Sequence, residues 1–151
     1  LITDKAITCL KKLLPNVSLL TPNIPEAELL IGEKINLDAM ESTAKKIGVL
    51  FQTSVLLKGG HLKSDSDEMT DVFYVLETGE VQTIKNPRIA TNNTHGTGCS
   101  LSSSIAAYLS LGMPMDRAIQ KGCAYVNSAI QEGQHMILGS GNGPINHFGL
   151  K

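Results

Sequence analysis

The chain has 151 residues, of which 42% are hydrophobic and 18% are charged, and its net charge is −1. This length suffices for one domain with a substantial core, and this composition excludes a disordered chain. No basic surplus points to nucleic acid, and no apolar run reaches the roughly 18 residues that a membrane span requires.

The three cysteines, Cys9, Cys99 and Cys123, form no paired or CxxC framework. Free thiols indicate a reducing compartment, so a cytoplasmic protein is expected. Because free cysteine is among the most buried residue types, we expect Cys9 to be buried or half-buried and Cys123 to be a packing residue.

Apolar periodicity and turn residues predict the first elements in chain order. A helix is predicted over 4–14 and a short strand over 17–20, followed by a turn with two prolines and a short helix over 25–31. Asn23 and Glu26 would lie where this strand ends and the helix begins, and ligands of open α/β sheets bind at such strand ends. Alternatively, the two residues form only a helix cap with a first-turn glutamate.

The next elements indicate a parallel sheet. An amphipathic helix over 37–51 precedes an apolar strand over 54–57, and this strand–helix–strand order implies a parallel crossover. Lys58 follows the strand and could reach a phosphate as a point charge, although a solvated lysine is the alternative. His61 follows two glycines and is assigned no catalytic role.

Residues 63–70 are polar and acidic, which predicts a surface loop without the spacing of metal ligands. Strands are predicted over 71–76 and 80–84, joined by a hairpin turn at 77–79. Two helices, over 98–111 and 115–132, are predicted before a glycine-rich tail.

The segment Asn93–Ser100, which reads Asn-Thr-His-Gly-Thr-Gly-Cys-Ser, is the most informative stretch. A glycine turn that leads into a helix leaves several backbone N–H groups unpaired, and the helix dipole adds partial positive charge there. Such a turn favours an anion, most often phosphate, and would activate Cys99 at the helix entrance. A Gly-Thr-Gly sequence by itself is equally compatible with a plain turn.

These eight residues resemble the anion-hole segment of the ribokinase-like small-molecule kinases. Within that superfamily they are similar to the hydroxymethylpyrimidine/phosphomethylpyrimidine kinases of thiamine biosynthesis, in which Thr-His-Gly-Thr-Gly-Cys recurs, whereas sugar and pyridoxal kinases usually carry aspartate in place of Cys99. Asn-x-x-Glu at 23–26, Lys-Gly-Gly-His at 58–61 and the glycine-rich tail resemble the same kinases, and the tail is expected to fold against the nucleotide pocket. The chain departs from the family at Ala90, where aspartate is frequent, so no charged role is expected there.

The resemblance implies an α/β fold, a ribokinase-like three-layer α/β/α sandwich with a mostly parallel central sheet. Residues 1–151 would be the C-terminal part of one kinase domain, with its N-terminal part absent. The implied activity is phosphorylation of 4-amino-5-hydroxymethyl-2-methylpyrimidine and its monophosphate, with ATP and Mg²⁺ as cofactors. The partners would be ATP and the pyrimidine, without nucleic acid or membrane, and the full-length protein is expected to be a homo-oligomer.

The resemblance also implies roles for the site residues. The transferring phosphoryl group would be held by the backbone amides of Gly96, Thr97, Gly98 and Cys99. The residues at the ATP phosphates would be Asn23, Lys58, Thr94, Gly96 and Gly98. Glu26 would orient magnesium through water. Cys99 would stand where related kinases place an aspartate base, and would either remove the proton or orient the hydroxyl.

Two alternatives stay open at this stage. A kinase of the same class could act on another acceptor, pyridoxal above all, because acceptor selectivity depends on parts of the fold outside this chain. The chain could also be a non-catalytic fragment or a binding module.

Overall fold

The computed structural model describes residues 4–60 and 67–149. Five helices and four strands are described in these ranges, so the chain is α/β as predicted. The contacts divide it into two compact units, Leu1–Lys85 and Asn86–Lys151. None of the described helices combines the length and the apolarity that a bilayer crossing demands.

The first unit contains three helices and the four strands. The helices are α1 (Asp4–Leu13), α2 (Ile24–Ile31) and α3 (Met40–Phe51), and the strands are β1 (Leu19–Leu20), β2 (Ser54–Leu57), β3 (Glu68–Tyr74) and β4 (Val81–Pro87). The predicted helix over 37–51 begins with a 3-10 turn, Leu37–Ala39, before α3. Strand β3 begins inside the predicted acidic loop over 63–70. Residues 61–66, which include His61 and the first four residues of that loop, lie outside the described ranges.

The four strands form one sheet in the order β1-β2-β3-β4. Strand β1 pairs with β2 in parallel, with Leu19 opposite Ser54, which confirms the predicted crossover through α2 and α3. Strand β2 pairs antiparallel with β3, with Leu56 opposite Phe73. The described sheet is therefore mixed rather than mostly parallel, because the chain after β2 returns beside it as the β3–β4 hairpin instead of crossing over through another helix.

The core of the first unit lies around β2 and α3. Every residue of β2 is buried, which is expected of a strand covered on both faces. Ala44 and Ile47 of α3 are fully buried in the same cluster as Val55 and Leu57 of β2. Cys9 of α1, in contrast, is exposed, so the expectation of a buried or half-buried thiol was wrong.

The second unit is built on two helices, α4 (Thr97–Ser110) and α5 (Met115–Gly133), which pack against each other. Side chains of α4 pack closely on Gly122 of α5, where a Cβ atom would lie 2.7 Å from the Ile105 side chain. Cys123 is buried on the same helix, which confirms its predicted packing role. This helix pair supports the segment that precedes α4.

Candidate functional site

Asn23 and Glu26 cap helix α2 reciprocally. The Asn23 side chain accepts a hydrogen bond from the Glu26 amide at 2.8 Å, and the Glu26 carboxylate accepts one from the Asn23 amide at 2.8 Å. This capping box satisfies two of the free N–H groups at the start of the helix. The helix ends at Gly32, which adopts the left-handed conformation with φ of 73°. Asn23 and Glu26 therefore form the helix cap that their spacing predicts. Glu26 is nevertheless exposed to solvent.

The structure brings Lys58 next to Asn23. The two residues form a parallel bridge beyond the ends of β1 and β2, and the Lys58 amide donates to the Pro22 carbonyl at 2.9 Å. Three predicted site residues of the first unit, Asn23, Glu26 and Lys58, thus meet at the carboxyl end of the parallel strand pair. Ligands of open α/β sheets bind at this edge.

Asp71 is a neighbour of this cluster that sequence reasoning missed. It lies in β3, and its Oδ1 accepts a hydrogen bond from the Gly59 amide at 2.9 Å. Burial raises the pKa of the Asp71 carboxyl above its ordinary value, while the hydrogen bond from Gly59 and the charge of Lys58 lower it. The local sequence gives no indication of this role, because Asp71 begins a predicted strand and lies twelve residues after Gly59, its hydrogen-bond partner.

The second unit contains the glycine turn. Gly96 is the N-cap of α4 and has φ of 91°, a conformation that glycine adopts without strain. The Ser100 amide donates to the Gly96 carbonyl at 2.9 Å, and the Thr97 amide donates to the Thr94 carbonyl at 3.3 Å. The Thr97 amide is therefore engaged inside the turn. No side chain caps α4, so the amides of Gly98 and Cys99 face an open helix N-terminus.

The turn is held by the tail of the chain. His95 donates its amide to the Gly143 carbonyl at 3.0 Å, and its carbonyl accepts from the Ile145 amide at 3.2 Å. Asn93 is buried, and its side-chain amide donates to the carbonyls of Gly133 and Met136, both at 2.7 Å. Asn93 is a second residue to which sequence reasoning gave no role, because its partners lie about 40 residues further along the chain. These bonds fix the path of the chain into α4.

Two depressions flank the segment that enters α4. A cleft of about 680 Å³ lies between residues 90–93 and 134–141. A groove of about 530 Å³ runs along α4 past the exposed Cys99. At this groove the His147 ring stacks on the Tyr125 ring. Its Nδ1 forms a hydrogen bond of 2.8 Å with the Tyr125 hydroxyl, and its Nε2 lies 3.4 Å from the Ser100 hydroxyl.

Glu26 is the predicted metal ligand. No group of three or more His, Cys, Asp or Glu residues among those described could hold an ion. Glu26 provides one exposed carboxylate near the end of β2, which Lys58 follows. This donor set fits a magnesium ion, which keeps several of its waters and binds through one or two carboxylates and substrate phosphates.

The sequence profile of the phosphomethylpyrimidine kinases matches residues 1–146. The chain belongs to this family. It is 38% identical over 96% of its length to the hydroxymethylpyrimidine/phosphomethylpyrimidine kinase of Rhizobium meliloti, of which it covers 54%. It is 41% identical over 98% of its length to a thiamine biosynthesis bifunctional protein of Geobacter sulfurreducens, of which it covers 29%. The chain thus spans about half, or less, of these phosphomethylpyrimidine kinase relatives.

Solved structures show the fold of this phosphomethylpyrimidine kinase family member. An ADP complex of Bacillus subtilis pyridoxal kinase superposes with a TM-score of 0.84 at 31% identity, over 95% of this chain and 53% of that one. Staphylococcus aureus pyridoxal kinase in complex with AMP-PCP and pyridoxal superposes with a TM-score of 0.86 at 29% identity, over 97% and 54%. The fold is ribokinase-like, as predicted.

Proposed function

We propose that the protein phosphorylates 4-amino-5-hydroxymethyl-2-methylpyrimidine and its monophosphate with ATP. The observation that carries this proposal is the glycine turn at 94–99, whose open helix N-terminus leads directly into Cys99 in a chain of the phosphomethylpyrimidine kinase family. Phosphoryl transfer requires mainly positioning and neutralisation of charge. An open helix N-terminus supplies both through oriented amides and the helix dipole.

The glycine turn would hold the transferring phosphoryl group. The proposed donors are the amides of Gly96, Thr97, Gly98 and Cys99, of which the Thr97 amide also bonds to the Thr94 carbonyl. Preorganised amides stabilise charge that develops on phosphoryl oxygens without having to reorient during the reaction. Gly96 gives the turn its left-handed start, and Thr94 anchors it through its carbonyl.

Asn23, Glu26 and Lys58 would hold the ATP phosphates and their metal. Lys58 places a cation at the edge of the sheet, where it would neutralise phosphate charge as a flexible point charge. Glu26 would orient magnesium through water, and magnesium, when bound, offsets the charge of the polyphosphate. The Asn23 side-chain oxygen accepts the cap hydrogen bond, so its side-chain amide group is the donor proposed for the ATP phosphates.

Cys99 would act on the acceptor hydroxyl. Its thiol is exposed at the groove along α4, at the third position of the helix. We propose that Cys99 either removes the proton of the hydroxyl or orients it.

The cleft between residues 90–93 and 134–141 is the proposed site for the nucleoside end of ATP. The cysteines form no disulfide, which agrees with the proposed cytoplasmic location.

Pyridoxal is the second candidate acceptor, because the structurally similar kinases of B. subtilis and S. aureus are pyridoxal kinases. Sequence identity favours the pyrimidine: it is 38% to the R. meliloti pyrimidine kinase but 31% and 29% to the two pyridoxal kinases. Cys99 favours the same choice, since pyridoxal kinases of the superfamily usually carry aspartate there.

A direct assay separates these candidates. The protein expressed from its complete reading frame is incubated with ATP and Mg²⁺ and either the hydroxymethylpyrimidine, its monophosphate or pyridoxal, and ADP formation is followed. We expect kcat/KM for the two pyrimidines to exceed that for pyridoxal by at least about 100-fold, which corresponds to about 2.7 kcal/mol. A preference for pyridoxal, or no turnover with any acceptor, would reject the proposal.

A further inference from the structure

The Lys58 turn is fixed at its first residue by β1. The Lys58 amide donates to the Pro22 carbonyl at 2.9 Å, and Lys58 pairs with Asn23 in a parallel bridge. The main chain of Lys58 therefore has a defined position relative to the capping box of α2. Lys58 is half-buried, at the sheet edge where Asn23 and Glu26 lie.

The same turn is fixed at its second residue by β3. The Gly59 amide donates to Oδ1 of Asp71 at 2.9 Å, in a partly buried setting. Gly59 is buried, and a Cβ atom there would collide with the Thr70 carbonyl and lie 3.1 Å from the methyl group of Met40. Only glycine lets the turn approach β3 so closely, and Asp71 holds it in that place.

Burial of the Asp71 carboxyl disfavours its charged form. Taking a carboxylate out of water is unfavourable unless it is well paired. Burial of Asp71 outweighs its two compensations, the Gly59 amide and the charge of Lys58, since the net effect is a raised pKa. Both compensating groups belong to the Lys58 turn.

We propose that Asp71 is a positioning residue, which aims Lys58 at the ATP phosphates by holding the amide of Gly59. This inference rests on the proposed function, because it takes Lys58 to contact ATP. Asp71 would not touch ATP itself; it would act through the turn. The role adds a residue of β3 to a site that is otherwise built from the ends of β1 and β2.

The test measures binding of Mg-ATP by isothermal titration calorimetry, with the protein expressed from its complete reading frame. Asp71→Ala removes the acceptor for the Gly59 amide and should raise the Kd for Mg-ATP by about tenfold, while KM for the pyrimidine stays within about twofold. Asp71→Asn keeps an oxygen acceptor and should bind Mg-ATP within about twofold of the wild type. Asp67→Asn, a charge-matched change at an exposed carboxylate just before β3, is the control.

A double-mutant cycle shows whether Asp71 acts through Lys58. In a Lys58→Met background, Asp71→Ala should change the Kd for Mg-ATP by less than about twofold, because the side chain that it positions is gone. Equal Kd values for Asp71→Ala and the wild type, or additive effects in the cycle, would overturn the inference.

If Asp71→Ala does not fold, the Kd of Asp71→Asn for Mg-ATP decides the question. A loss of Mg-ATP binding by Asp71→Asn as large as that of Lys58→Met would overturn the inference. A wild-type protein that does not bind Mg-ATP would reject the proposed function as well, whereas the former results reject this inference alone.

Discussion

Cys99 is the residue on which the chemistry of the proposed reaction depends. It occupies the third position of α4, where the helix N-terminus is open, and its thiol is exposed to the groove. Cys123, in contrast, is buried in the packing of α5. The two cysteines of this unit therefore differ in environment, and only the exposed thiol is proposed to act on the acceptor.

Replacement of Cys99 tests its role directly. Cys99→Ala should lower kcat by about 100-fold or more, the typical contribution of a proton-transferring or orienting side chain, and should leave Mg-ATP binding within about threefold. Cys9→Ala, at the exposed thiol of α1, is the matched control. Steady-state kinetics and calorimetry on the protein from its complete reading frame measure both quantities, and unchanged turnover would reject the role.

The raised pKa of Asp71 predicts a pH dependence of stability. Because burial raises this pKa, the folded protein holds the Asp71 proton more tightly than the unfolded chain does. The resulting stabilisation is complete below the ordinary pKa of aspartate, about 3.9, and is lost as the pH rises through the raised value. The wild type should therefore lose unfolding free energy relative to Asp71→Asn as the pH rises from about 4 to 7.

Denaturant unfolding at several pH values between about 4 and 7 checks this sign. Asp67→Asn should retain the pH dependence of the wild type, because its carboxylate is exposed. Parallel stability curves for the wild type and Asp71→Asn would contradict the prediction.

At the scale of elements, α2 shows how one motif can serve structure and function together. Its capping box uses the Glu26 carboxylate and the Asn23 side chain, yet the same two residues lie beside Lys58. The cap does not exclude a metal, because a carboxylate accepts several hydrogen bonds or ligand contacts. Stability and metal-dependent binding must therefore be measured separately.

Glu26→Gln separates the two roles. Glutamine at this position keeps a capping box, so the free energy of unfolding should fall by less than about 1 kcal/mol, mainly through the lost charge at the helix N-terminus. Without a carboxylate to orient magnesium, KM for Mg-ATP should rise several-fold. Chemical denaturation and ATP titrations at fixed Mg²⁺ measure these effects. Glu77→Gln, at an exposed hairpin residue, is the control, and an unchanged KM would leave Glu26 as a cap alone.

At the scale of the whole molecule, the chain contains two of the components that we propose for phosphoryl transfer. The first unit holds the Asn23, Glu26 and Lys58 cluster, and the second holds the glycine turn and Cys99. The chain covers 54% of the R. meliloti kinase, so almost half of that enzyme has no counterpart in these 151 residues. We infer that most of the acceptor pocket belongs to the uncovered part.

The purified 151-residue chain should therefore have little kinase activity. We expect its kcat/KM for the hydroxymethylpyrimidine to lie at least about 1,000-fold below that of the R. meliloti kinase, because most of the acceptor-binding surface is missing. ADP formation with both proteins under identical conditions measures the ratio, and robust turnover by the chain would contradict the prediction.

Light scattering on the protein from its complete reading frame would test the expected homo-oligomer.

Local patterns determined much of this protein. Apolar periodicity located α3, α4 and α5 to within a few residues, and the strand before Lys58 was predicted with its observed bounds, Ser54–Leu57. The crossover order predicted the parallel pairing of β1 with β2. The motifs at 23–26, 58–61 and 93–100 identified the kinase family, because these signals depend on residues close together in the chain.

Only the tertiary structure decided the contacts that hold the candidate site. Asp71 meets the Gly59 amide across 12 residues, and Asn93 meets the Gly133 carbonyl across 40. Periodicity carries no information about such partners, because they depend on which strands and helices come together after folding. Burial also depends on how the elements pack, so the sequence predicted the buried Cys123 correctly but did not predict that Cys9 is exposed.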